Sequence, residues 1–298
     1  MLWRGGRRSD NVEDRRGGGG FGGGLGGGGR LGGGGVKVGG LGIVVILLVG
    51  WFFGVDPTAL LSQIEGGGVG GTGYEQQSGT VGSAPQDDEM KQFVEVVLAD
   101  TEDTWSEIFK AGGETYQPPR LVLFSGRTAT ACGTGQAAMG PFYCPSDSKV
   151  YIDLSFYEEL KQRFQAPGDF AQAYVIAHEI GHHVQHLLGI TEEMERAYGG
   201  NQSGADSASV RIELQADCFA GVWAYHANQR KIVEVGDVDE ALNAATAIGD
   251  DKLQEEGQGY VVPDSFTHGT SAQRVRWFKR GMESGDANAC DTLKAKTL

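Results

Sequence analysis

Apolar and polar positions change their period several times along this chain. From Val38 to Val55 there is no period: eighteen residues pass without a charge, including Leu41-Gly42-Ile43-Val44-Val45-Ile46-Leu47-Leu48-Val49. An apolar stretch of that length predicts one transmembrane helix, at the short end of what a bilayer requires. Met90, Phe93, Val94, Val97, Leu98, Trp105, Ile108 and Phe109 recur near helical spacing and stop at Gly112-Gly113. They predict a packing helix, interrupted around Thr101-Glu102-Asp103 where the apolar face breaks. Leu121-Val122-Leu123-Phe124, after Pro118-Pro119, and Lys149-Val150-Tyr151-Ile152-Asp153 read as short strands. Helical spacing returns over Tyr157–Phe164, from Asp169 to Leu188, from about Ser207 to Asn228, over 237–254, and again from a cap at Thr270 or Ser271. Thr191–Ser209 is polar and broken by glycines, so it reads as a loop on a cleft rim. The expected class is α+β: helices with a small sheet, following one N-terminal transmembrane helix.

Composition divides the chain. Much of the total of 50 glycines falls in the runs Gly17–Gly20, Gly22–Gly24, Gly26–Gly29 and Gly32–Gly35, which cannot build a core. Residues 1–37 therefore read as a disordered Gly/Arg-rich segment, 38–55 as the anchor, 56–86 as a flexible linker and 87–298 as the folded domain. Residues 1–38 hold seven Arg/Lys against three Asp/Glu, so the formal net charge of −14 leaves −18 for the rest. Positive charge before the apolar stretch predicts a cytoplasmic N-terminus, with everything after Asp56 across the membrane. A cleaved signal peptide competes with that reading, but the apolar run starts late and no small-x-small site follows it. An arm for anionic lipid is disfavoured because the arginines are few and lack interleaved aromatics, and the acidic remainder would repel a nucleic acid.

One helical stretch carries the chemistry. Ala177-His178-Glu179-Ile180-Gly181-His182-His183 contains H-E-x-x-H. Four residues are about 1.1 helical turns, so His178 and His182 share a face, roughly 6 Å apart along the axis. Two imidazoles so placed can close on one zinc ion, and Glu179 leans towards the position left for a water, from which it could take a proton. Asp169 is the expected N-cap and Gly189 the expected stop. Gly181, costly inside a helix, predicts that another helix or a substrate backbone passes very close. A third ligand is offered by Glu213 in Arg211-Ile212-Glu213-Leu214-Gln215-Ala216-Asp217, with Asp217 one turn on to receive the outer N–H of a ligand histidine. The scheme with a downstream glycine and histidine fails, because Gln185 and Leu188 stand at those places. His183 points away from His182, and both His183 and His186 read as packed or solvent-facing side chains. Asp250 and Asp251 read as solvated charges rather than a second metal site. Cys132 and Cys144 bracket a Gly-rich loop and are expected to pair; the even count makes Cys218–Cys290 a second candidate pair.

HEIGHHVQHLLG, ELQADCFAG, GPFYCP, VYIDLSFY and PDSFTHGTSAQR, with the opening RRSDNVEDRR, together resemble the bacterial neutral zinc metallopeptidase family. The resemblance covers all but the glycine tracts and linker. It implies a zincin-like fold, one zinc ion on His178, His182 and Glu213, and Glu179 as general base. It also implies a single membrane anchor. With the charge pattern, that gives a single-pass protein of the bacterial inner membrane, its catalytic domain periplasmic or otherwise extracytoplasmic, and a protein or peptide is the expected substrate. In zincins an edge strand above the metal helix receives the substrate backbone, which points to Phe142–Asp153 here. They also place a polar residue beyond the third ligand to stabilise the oxyanion. His268 is the candidate, with Arg274 behind it; in the plainer reading His268 bonds the helix end and Arg274 pairs with an acidic neighbour. Two other functions fit the same residues: a scaffold with a structural zinc, and an amide hydrolase of the cell wall. The sequence names no substrate, cleavage preference or oligomeric state.

Overall fold

The computed structural model describes residues 1–16, 88–164, 166–198 and 203–298. The expected anchor at 38–55 and linker at 56–86 lie outside the described residues. Among the described residues no helix is long and apolar enough to cross a membrane.

Asp88 caps the first helix, α1 (Glu89–Ala111), accepting from the Lys91 N–H. The interruption expected at Thr101-Glu102-Asp103 is absent, and α1 runs straight through it. The strands that follow are β2 (Arg120–Phe124), β3 (Arg127–Thr130), β4 (Gly133–Gln136), β5 (Phe142–Cys144) and β6 (Lys149–Asp153). β3 and β4 form a separate antiparallel hairpin, while β2 pairs in parallel with β6 and β5 pairs antiparallel with β6. Leu121 to Phe124 are all buried, as a strand covered on both faces should be. β5 lies at the edge of its sheet, tied to the hairpin turn by the Cys132–Cys144 disulfide.

The first sixteen residues correct an expectation. Instead of being disordered, Val12–Asp14 form strand β1, which runs parallel to β2 and completes the sheet order β1-β2-β6-β5. The cause lies in Glu102. Its carboxylate is buried in the middle of α1 and receives Ser9 Oγ at 2.6 Å, Asn11 Nδ2 at 2.8 Å and the Arg7 guanidinium at 3.1 Å. Trp3 packs edge-on to Phe93, and the Met1 amino group donates to Asp169 at 2.6 Å. A hydrogen-bonded ladder leaves no space for a bilayer between its strands, so β1 and β2 share one side of any membrane.

The helices beyond the sheet are α2 (Ser155–Gln162), α3 (Asp169–Leu187), α4 (Ile190–Tyr198), α5 (Ala208–Gln229), α6 (Asp237–Ala247), α7 (Asp250–Gln258) and α8 (Ser271–Ser284). Part of the stretch read as a loop, Ile190–Tyr198, is thus helical, and the helix expected over 237–254 is two. The break falls at Gly249, where a Cβ would lie 2.4 Å from the Ser271 nitrogen; only a glycine lets the start of α8 come so near. α3 and α5 cross where Gly181 faces Ala216, with room for a Cβ only 3.0 Å from the Ala216 Cα. That is the close helix approach Gly181 predicted. α5 is clamped in turn against α8 through Gly221 and Gly281, and Cys218 on α5 is bonded to Cys290. A helix wedged between two others and pinned by a disulfide is a rigid carrier for whatever it presents to α3.

Candidate metal centre

α3 and α5 supply the centre between them. α3 starts one residue earlier than its sequence suggests: Gly168 is the N-cap and Asp169 the first helical residue. It ends on Leu188, with Gly189 in the left-handed conformation at φ +67°, as a glycine stop requires. α5 is capped by Ser207, whose hydroxyl accepts from the Val210 N–H.

This pairing brings one donor atom each from His178, His182 and Glu213 within 4.8 Å of one another. His178 Nε2 lies 3.2 Å from Glu213 Oε2, and His182 Nε2 lies 3.5 Å from Glu213 Oε1. Donors about 2.0–2.1 Å from a common tetrahedral centre stand roughly 3.3 Å apart, so the three fit one zinc ion with little adjustment. Two nitrogens and one oxygen leave a fourth position free. Glu179, buried, follows His178 on α3.

The outer nitrogens of the two imidazoles are already engaged. His178 Nδ1–H donates to Asp217 Oδ1 at 2.9 Å, and His182 Nδ1 lies 2.9 Å from Gln185 Oε1. Asp217 is completely buried and also receives the Tyr174 hydroxyl and two bonds from Arg274, Nε at 2.9 Å and Nη2 at 3.0 Å. Both Nε2 lone pairs are therefore left facing Glu213.

Charge is distributed to match. Burial pushes the Glu213 carboxyl up, but the imidazoles of His182 and His178 outweigh it and hold the group well below the usual carboxylate range. Asp217 is likewise held low against its burial, by Arg274 and then His178. Burial would lower His178, yet Asp217 and Glu213 raise it to about 10. Two carboxylates thus press on one imidazole, an excess of negative field that a divalent cation would satisfy. Glu179 is pushed up, chiefly by its burial.

His268 lies close enough for its charge and that of Glu213 to perturb each other. Its ring, half exposed, is held by Asp250, whose Oδ1 is 3.2 Å from His268 Nδ1. Asp250 is not the solvated charge the sequence suggested. It is buried, and its Oδ2 accepts the backbone N–H groups of Thr267, His268 and Gly269 at 2.7, 2.6 and 3.0 Å. Arg274 pairs with the acidic neighbour Asp217, and its charge also reaches His268. His183 turns away: its Nε2–H donates to the Gln117 carbonyl at 2.7 Å and its Nδ1 accepts from the Tyr143 hydroxyl at 3.1 Å. The other close acidic group among the described residues, Asp169, Asp237 and Glu240, is met by the Met1 ammonium. Sequence reasoning missed Gln185, Gln215, Tyr174 and the role of Asp250. Gln185 and Tyr174 each stand one helical turn from a ligand histidine, but that spacing does not say which polar partner they meet.

Residues 1–293 match a family described as "Putative neutral zinc metallopeptidase". The chain belongs to that family. The match includes the N-terminal residues that form β1, so the family's shared region contains the segment docked on Glu102. Relatives include the "Uncharacterized protein YpfJ" of Escherichia coli K12, 53% identical over 98% of this chain and 99% of its own length. Another is the "Uncharacterized protein Rv2575" of Mycobacterium tuberculosis H37Rv, 40% identical over 82% of this chain and 85% of its own length. No solved structure matches. Family membership supports a zinc-dependent peptide hydrolase at a general level, and the group His178, His182 and Glu213 supplies donors suited to zinc.

Proposed function

We propose that this chain is a zincin-like metallopeptidase whose single zinc site is His178, His182 and Glu213, with Glu179 as general base. The observation that carries the reading is the convergence of those three donor atoms, two of them from the helix that also carries the buried carboxylate of Glu179. Zinc, when bound, would supply a Lewis acid that polarises a carbonyl and eases deprotonation of water near neutral pH. Glu179 takes the proton of the attacking water and passes it to the leaving amine; its burial makes it a stronger base than a free carboxylate. His268, held by Asp250, donates to the oxygen that becomes negative. Asp217 keeps the Nε2 of His178 free for metal, and Arg274 keeps Asp217 ionised.

The substrate in this reading is a peptide in extended form. β5 has a partner on one side only among the described residues, and Tyr143 on that strand bonds His183 of the metal helix. A substrate backbone adding to that edge would run alongside the site. The acidic balance of the chain disfavours nucleic acid.

Two disulfides support a location for the domain in an oxidising compartment outside the bacterial cytoplasm. The β1–β2 ladder supports the same location for residues 1–16. The test of the catalytic reading is Glu179→Gln, assayed on casein and on peptidoglycan. It should keep zinc and lose casein hydrolysis. Full activity in that variant would remove the base, and cleavage of peptidoglycan alone would favour the cell-wall amide reading.

A further inference from the structure

The two imidazoles of the centre are held differently. His178 leans on a carboxylate, Asp217, whereas His182 leans on an amide. Gln185 is fully buried, and its other end settles which way the amide points. Its nitrogen lies 2.7 Å from the Ile212 carbonyl, which can only accept. The end near Ile212 must therefore be the NH2, and the end near His182 the oxygen. An oxygen there can only accept, so His182 carries its proton on Nδ1 and leaves Nε2 bare.

The amide is fixed at two further points. The Gln185 nitrogen also donates to Gln215 Oε1 at 3.1 Å, and the Gln215 nitrogen donates to the Cys290 carbonyl at 2.9 Å. Cys290 is the disulfide partner of Cys218, which follows Asp217 on α5. A continuous buried chain thus runs from His182 through Gln185 and Gln215 to the disulfide that pins the same helix carrying Asp217 and Glu213.

We propose that Gln185, braced by Gln215 and the Cys290 carbonyl, is the positioning residue that sets the tautomer and ring orientation of His182 for metal. The proposal rests on the zinc reading above. Ligand histidines whose outer N–H partner is removed lose about 10–100-fold in metal affinity. A helical Gln at this point is otherwise replaceable by an apolar side chain of similar length, because only its polar end is used.

The test is zinc affinity of the full-length chain, measured by competition with a chelator, for the parent, Gln185→Met and Gln215→Leu. Unfolding of each metal-free form is followed in parallel. The expected result is a loss of about 10–100-fold for Gln185→Met. Gln215→Leu should lose about fivefold, the equivalent of one hydrogen bond. In the zinc-loaded parent the His182 Nδ1 proton should be visible by NMR as a slowly exchanging resonance, and it should vanish in Gln185→Met. Two variants that bind zinc as tightly as the parent, with the Nδ1 proton unchanged, would overturn the proposal. If Gln185→Met does not fold, Gln215→Leu decides by the same two readouts. A parent chain that binds no zinc would instead overturn the metal reading on which this one stands.

Discussion

Arg274 grips Asp217 with two hydrogen bonds, Nε to Oδ2 at 2.9 Å and Nη2 to Oδ1 at 3.0 Å, and both residues are buried. Asp217 in turn orients His178. Arg274→Met leaves a buried carboxylate without its counter-ion, a change that costs about 3–5 kcal/mol in comparable pairs. Urea unfolding of the metal-free protein should show that loss, together with weaker zinc binding. A variant as stable as the parent would mean that Tyr174 and His178 suffice to hold the charge.

His268 and Asp250 act further out. His268→Ala should lower kcat by about 10²–10³-fold with little change in KM, the usual effect of removing one oxyanion donor. Asp250→Asn should have a smaller effect on kcat: its one amide oxygen can still serve the three backbone N–H groups, but an NH2 then replaces the carboxylate oxygen that holds His268, and stability should fall with the lost charge. Peptide hydrolysis at saturating substrate is the measurement. Equal kcat in His268→Ala would return that histidine to a structural role.

His183 gives the fold an acid-sensitive point. Burial lowers its pKa to about 4, and its two bonds define a neutral ring. In the unfolded chain the same ring titrates near 6.5, so between about pH 6.5 and 4 the unfolded state binds the extra proton. The contribution is intact above about pH 6.5 and is lost as the pH falls towards 4, amounting to about 3 kcal/mol. His183→Gln keeps a donor and an acceptor without the titration. Its stability should fall less than the parent's over that window, and identical pH profiles would contradict the assignment.

The N-terminal segment and the catalytic domain should be found on one side of the membrane. Single cysteines at the exposed positions Arg4 and Met139 can be probed in intact cells with a thiol reagent that does not cross membranes. Both should be labelled. Labelling at Met139 alone would separate the strands that the ladder joins.

Much of this molecule is legible from local pattern. The H-E-x-x-H face, the Glu213/Asp217 face, the Cys132–Cys144 disulfide and the strand Lys149–Asp153 follow from spacing over a few residues, and the Cys218–Cys290 pair from the even cysteine count. What local pattern leaves out depends on partners distant in sequence. Glu102 looks like a break in an apolar helix face until Ser9 and Asn11, more than ninety positions away, arrive to bond it. The same arrival turns a glycine-flanked arginine segment into strand β1. Asp250 looks like one of two surface acids until the Thr267–Gly269 backbone wraps round it. Gln185 is an unremarkable helical polar residue until α5 brings Ile212 and Gln215 against it. Periodicity reports which face is buried, but not which polar group waits there.

The central claim is that two helices deliver His178, His182 and Glu213 to one zinc ion. X-ray absorption at the zinc edge, on the full-length protein loaded with one equivalent of zinc, tests it most directly. The account predicts a four-coordinate ion with two imidazole nitrogens at about 2.0–2.1 Å and oxygen in the remaining positions, reduced to one imidazole in His182→Ala. Sulfur ligation, or an imidazole count unchanged in His182→Ala, would contradict it.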